Sequence, residues 1–170
     1  MAEVYFIDIN SVKELSLIDE NVDNKLLLPT LTMVQDIYLQ KILGTPLFND
    51  LKTKITADPT LAAYPNHLAL MQNYVKKVLI YYVCMNSIYA LRFRMMNKGV
   101  MVKNGENSSA ADYLELKVLK DEFRMTAESY SELLTRYLKE NTTTFPLYDD
   151  ISETGMNAAD TNYTTGIDLS

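Results

Sequence analysis

Residues 74–93 read YVKKVLIYYVCMNSIYALRF, and this stretch decides the fold. Its centre, Val78 to Met85, is the most apolar run of the chain, and IYAL extends it after Asn86 and Ser87. The run falls short of the ~20 residues a helix needs to cross a bilayer, so no membrane span is expected. Leu70, Tyr74, Val78, Tyr81, Tyr82, Met85, Ile88, Tyr89 and Phe93 recur at helical spacing and predict a long helix over about 66–95. From 78 to 93 it is apolar almost all round, and such a helix is covered on most sides. One small domain can hardly supply that cover, so a neighbouring subunit is expected to add to it.

Working outward, Leu27, Leu31, Val34, Tyr38 and Ile42 mark one face of a helix that Gly44 ends. Pro29 falls in its first turns, where a missing N–H costs little if the helix starts near Asn24 or later. Thr45 is read as the cap of the next helix, with Pro46 at its first position and Leu47, Leu51 and Ile55 buried. Asp58 and Pro59 repeat that signal. At the start, VYFIDI (4–9) reads as either a short strand or an anchoring arm, and Ser11 with Glu14 has capping-box spacing.

Downstream, Ser109 and Asp112 have the same spacing and open a helix predicted over about 110–140, with Leu116, Leu119, Phe123, Ala127, Tyr130, Leu134 and Tyr137 on its face. Between the two long helices lies MMNKGVMVKNGENSS (95–109), in which Gly99 and Gly105 permit tight turning. Two readings stand for it: a solvent-exposed connector, or a β-hairpin or loop over 96–108 whose outer edge docks on a neighbour by strand addition. The fold class is all-α, an antiparallel helical bundle whose two long helices are joined by that projecting segment. Residues 1–150 form one helical domain, and 151–170, without Lys or Arg and with few large apolar residues, form an extended tail that should not order in isolation.

The chain has 170 residues and a formal charge of −6. That length suits a single domain burying roughly 70% of the surface exposed by the unfolded chain. Affinity for nucleic acid comes from clustered Lys and Arg, and the one basic group of note is Arg92, Arg94, Lys98 and Lys103. The start, MAEVYFIDIN, has no basic leader and too short an apolar run for a signal peptide.

No catalytic constellation emerges. His67 is the only histidine and Cys84 the only cysteine, so neither a His-based nor a Cys-based zinc site can form within one chain. No P-loop, GxGxxG or GxSxG is present. The carboxylates Asp19, Glu20 and Asp23, Asp121 and Glu122, and Asp149 and Asp150 lack metal-ligand spacing and read as solvated charge. Neither enzyme activity nor a cofactor or metal is expected. Tyr74, Tyr81, Tyr82, Tyr89, Tyr113, Tyr130 and Tyr137 fit an aromatic core, a subunit interface, or both.

Taken in order, QDIYLQKILGTPLFNDL (35–51), the stretch at 74–93, MNKGVMVKNGENSSAA (96–111), a second long helix and FPLYDD (145–150) resemble the head–tail connector, or adaptor, family of tailed bacteriophages. The form is similar to that of phages of gut Bacteroidetes, including crAss-like phages, and the likeness covers about residues 5–150. It implies a virion subunit, assembled in the host cytoplasm, that forms a dodecameric ring with sister subunits. The ring would dock under the portal protein and carry a further neck or tail ring protein, with genomic DNA only as passing cargo. Partner contacts are expected at Asn97, Lys98, Gly99, Val100, Val102, Lys103 and Gly105, and at Phe145, Tyr148, Ile151 and Tyr163. Arg92 and Arg94 would face the DNA channel or an acidic partner. Two other classes remain open: an intracellular helical interaction module without a virion role, and a metal-dependent enzyme using its acidic groups.

Overall fold

In the computed structural model, the residues described are 3–96, 99–102 and 112–148. The chain is mostly helical, as an all-α protein should be. Helix α1 is Ile9–Glu14. Helix α2, Asn24–Val34, passes through a π-helical turn, Gln35–Leu39, into α3, Gln40–Leu43. Helix α4 is Thr45–Ala57 and α5 is Pro65–Leu70. A second π-turn, Met71–Val75, leads into α6, Lys76–Arg92. Strands β1, Phe93–Met96, and β2, Gly99–Val102, pair antiparallel with Phe93 opposite Val102. Helix α7 is Tyr113–Glu140, followed by a 3-10 turn at Pro146–Tyr148.

The apolar stretch behaves as its composition dictates, with one correction. Val78, Leu79, Ile80, Tyr82, Val83, Cys84 and Met85 are all buried in the core. Helix α2 packs on one flank of α6 and α7 on another, so this single chain covers the stretch through Met85 without a neighbour. The helix also ends earlier than its pattern predicts. Phe93 adopts extended backbone (φ −105°, ψ 140°), and residues 93–96 leave the helix for the β ladder.

Helix ends show where local signals were misplaced. Asp112, not Ser109, is the N-cap of α7, because the Glu115 carboxylate reaches back to accept from the Asp112 N–H at 2.8 Å. Helix α1 begins at Ile9 behind Asp8, which leaves Ser11 inside the helix rather than capping it. Gly44 (φ 75°) ends one helix and caps the next: its N–H donates to the Gln40 carbonyl and its carbonyl accepts from the Phe48 N–H. Thr45 therefore stands at the first helical position, one later than expected. Pro29 is the sixth residue of α2, beyond the first turn, so one backbone bond of that helix is missing.

Asp58 pins the turn after α4. Its carboxylate accepts from the backbone N–H groups of Thr60 and Ala63, both at 3.0 Å, and those bonds hold its pKa below the usual carboxylate value. Leu61 follows at φ 53°, a positive angle that the pinned turn imposes and the burial of its side chain sustains.

His67 is packed among its neighbours. Its Nε2 lies 3.2 Å from Asp50 Oδ2, and its ring meets those of Tyr64 and Phe145 edge-on. Burial, chiefly, and the nearby Lys54 ammonium lower its pKa from 6.5, while Asp50 opposes them. The native state thus binds fewer protons at this site than the unfolded chain. The stability it contributes is complete above pH 6.5 and is lost progressively as pH falls from there through the lower pKa of the folded state. Unfolding measured between pH 7.5 and 5.5 should show a shallower loss in His67→Gln than in the parent protein; identical slopes would refute the assignment.

Ser87 is fully buried on α6, and its hydroxyl makes no hydrogen bond among the described residues. An unpaired buried polar group costs about 1–3 kcal/mol. Ser87→Ala is expected to raise stability by about 1 kcal/mol in denaturant unfolding, whereas a loss of stability would mean that the hydroxyl has a partner.

Candidate functional site

The two long helices touch through a ladder of rings. Tyr74 stacks on Tyr137 at 4.3 Å, Tyr81 on Tyr130 at 5.3 Å, and Tyr81 also approaches Phe123 at 6.5 Å. Further on, the Lys120 ammonium lies 4.8 Å from the Tyr89 ring centre. Contacts that rise along α6 fall along α7, so the helices run in opposite directions. Tyr82 reaches both flanks: its ring stacks on that of Tyr38 at 4.3 Å and its hydroxyl accepts from the Ser131 hydroxyl of α7 at 3.4 Å. The tyrosines therefore tie α6 to both neighbours within one chain.

The ladder has two unequal halves. Near the C-terminal end of α7, Ala127, Leu134, Thr135 and Leu138 are buried. From Tyr113 to Thr126 no residue is fully buried. That half instead exposes Tyr113, Leu114 (67%), Val118 and Met125 (65%). Leu114, Val118 and Met125 are separated by four and seven residues, which places them within about 40° of one another around the helix. On the facing helix the buried core cluster ends at Met85; Ile88 is buried but lies outside it. Beyond that level α7 has the end of α6 on one side and an apolar stripe on the other.

Charges flank the stripe. Asp121 pairs with Arg124 at 3.1 Å one turn on, and Glu122, Glu128 and Glu132 are exposed nearby. Among the described residues, no three His, Cys, Asp or Glu side chains stand close enough to hold a metal ion. Burial pushes the Cys84 thiol up in pKa, which leaves it a packed hydrophobe instead of a nucleophile. Among the described residues no helix is long and apolar enough to cross a membrane.

The residues singled out from the sequence fall into three groups. Gly99, Val100 and Val102 lie on β2, and Arg94 lies on β1 beside Arg92 at the end of α6. Arg92 is partly buried, with its guanidinium 5.5 Å from the Phe93 ring. Asn97, Lys98, Lys103, Gly105, Ile151 and Tyr163 lie outside the described residues. Phe145 and Tyr148 need correcting: they are 1% and 6% exposed and belong to the core of their own chain. Phe145 is held between the rings of His67 and Tyr137, so its side chain is not on offer to a partner.

Sequence periodicity did not find the exposed stripe. Leu114, Val118 and Met125 fall off the face that it selected, and only the extent of the core shows that no described residue buries them. A family model described as a family of unknown function (DUF6712) matches residues 39–157. No curated protein and no solved structure matches the chain.

Proposed function

We propose that this chain, which belongs to the family of unknown function DUF6712, is a structural assembly subunit, and specifically a head–tail connector ring protein of a tailed-phage virion. The observation that carries the assembly reading is the first half of α7, where large apolar side chains are exposed and none is fully buried. Large apolar side chains exposed along one side of a helix, among charges, are the mark of a protein contact. In the finer reading, α6 and α7 form an antiparallel pair that carries the β1–β2 hairpin outward as a projection. The outer edge of that hairpin then receives a neighbour by strand addition.

The order of sequence strings that resembles phage connectors supplies the virion setting. Sister subunits would meet through the α7 stripe, and the portal protein and the next neck ring would contact the extremities. An acidic chain also suits a channel through which DNA must slide, because it makes few of the phosphate contacts that release counterions and add affinity.

The test is native mass spectrometry of the purified protein, alone and mixed with the portal protein of the same genome. A closed ring bound to the portal is the expected result. A monomer indifferent to the portal would overturn the connector reading. The alternative, an intracellular helical interaction module, draws on the same exposed stripe and predicts a small complex with one soluble partner.

A further inference from the structure

A cleft of about 540 Å³ opens between the segment before α1, the turn after α4, and the helix that runs from α5 through the second π-turn. Ile7, Leu61 and Met71 form its apolar floor, and all three are buried. Asp8, Gln72 and Lys76 stand on its rim, and the side chain of none of them makes a hydrogen bond or ion pair with another described residue. The backbone is unspent there as well. Val4 and Phe6 bond to the Gln35 side chain, whereas the N–H and C=O groups of Tyr5 and Ile7 bond to no described residue. Buried backbone groups are almost always paired, so the main chain of Ile7 calls for a partner.

We infer that this cleft is the docking groove for the chain's own C-terminal segment, residues 151–170, held within the same molecule. Three observations select that occupant. The described chain ends, at Tyr148, near the helix that forms one wall: three residues earlier, the Phe145 ring is 5.3 Å from that of His67 on α5, and Leu68 of the same helix lines the cleft. The 22 residues after Tyr148 reach up to ~70 Å when extended, ample to enter it. Their composition also fits. Asp149, Asp150, Glu153, Asp160 and Asp168 occur with no Lys or Arg, which suits the unpaired Lys76 ammonium. Ile151, Met156, Tyr163, Ile167 and Leu169 supply apolar side chains for the floor. An extended segment lying along Tyr5 and Ile7 would pair their open backbone groups by the strand-addition mode. The inference does not depend on the connector reading.

The experiment uses the full chain and a fluorescein-labelled peptide of residues 149–170. In one variant, Ile151, Met156, Tyr163, Ile167 and Leu169 are all replaced by serine. This variant should bind the peptide, and the parent protein should bind it at least ~10-fold more weakly, because its own tail competes at an effective concentration in the millimolar range. Adding Lys76→Glu to the serine variant should abolish binding. Lys76 is only partly buried and unpaired, and circular dichroism would verify that the body stays folded. Peptide binding to neither protein, equal binding to both, or indifference to Lys76→Glu would each overturn the inference. So would a parent-to-variant ratio that collapses on dilution, since the competing tail would then come from another molecule.

Discussion

Replacing Leu114, Val118 and Met125 together with glutamate is expected to prevent the proposed assembly from forming while leaving the monomer's unfolding midpoint nearly unchanged. Each of these side chains is more than half exposed in the isolated chain, so little native packing is lost. Surface substitutions of this kind change stability by about 0.5 kcal/mol or less apiece. Glutamate is a good helix former, and at position 114, in the first turn of α7, a negative charge is favoured by the helix dipole. In an assembly the account is different. Burying a Leu, Val or Met side chain contributes about 1.5–3 kcal/mol, so three of them contribute about 6 kcal/mol per contact face. That corresponds to roughly 10⁴ in association constant, before the cost of enclosing three carboxylates beside Asp121, Glu122 and Glu128. Native mass and circular dichroism on the same sample separate the two effects. Rings that persist with all three glutamates would remove α7 from the subunit contact.

How much of this was legible in the sequence depends on the kind of signal. The buried stripes of α2, α4 and α6 were legible, because burial on one side of a helix imposes a 3.6-residue recurrence that Leu27, Leu31, Val34 and Tyr38 carry openly. Helix ends were legible only to within a few residues. Ser109 and Asp112 both offer cap chemistry, and only the reach of Glu115 decides between them. The two π-turns left no trace, since inserting one residue into a turn alters neither composition nor polarity. Phe145 and Tyr148 were misread because an aromatic residue near the end of a domain looks alike whether it closes the core or greets a partner. The stripe on α7 failed for the converse reason. Periodicity reports which face is apolar, but not where along the helix its cover stops. Most of the segment between β2 and α7, and all of the tail, carried the sharpest functional expectations and lie outside the described residues.

The largest expected loss of stability belongs to a residue that no motif marks. Gln35 is fully buried at the start of the first π-turn. Its Oε1 accepts from the Phe6 N–H at 2.8 Å, and its Nε2 donates to the Val4 carbonyl at 3.3 Å. One amide thus serves the arm at residues 4–6 as a neighbouring strand would, which resolves the reading of VYFIDI in favour of an arm. The Phe6 ring then packs 5.0 Å from Phe48 on α4. In Gln35→Ala the Phe6 N–H keeps its burial and loses its partner, at about 1–3 kcal/mol. The missing side-chain volume adds a cavity penalty, for a total of about 3–4 kcal/mol. Against a typical domain stability of 5–15 kcal/mol this is large, and it should lower the melting midpoint by about 10 °C at this chain length. Gln35→Leu separates the two contributions: it restores volume but leaves the Phe6 N–H unpaired, so it should recover less than half of the loss. Hydrogen exchange at Phe6 should accelerate in both variants, since the arm opens without global unfolding. A Gln35→Ala protein within 1 kcal/mol of the parent would show that the arm is held by its apolar side chains alone. The docking cleft would then have a far more tolerant wall, because Tyr5, Phe6 and Ile7 line it from the same arm.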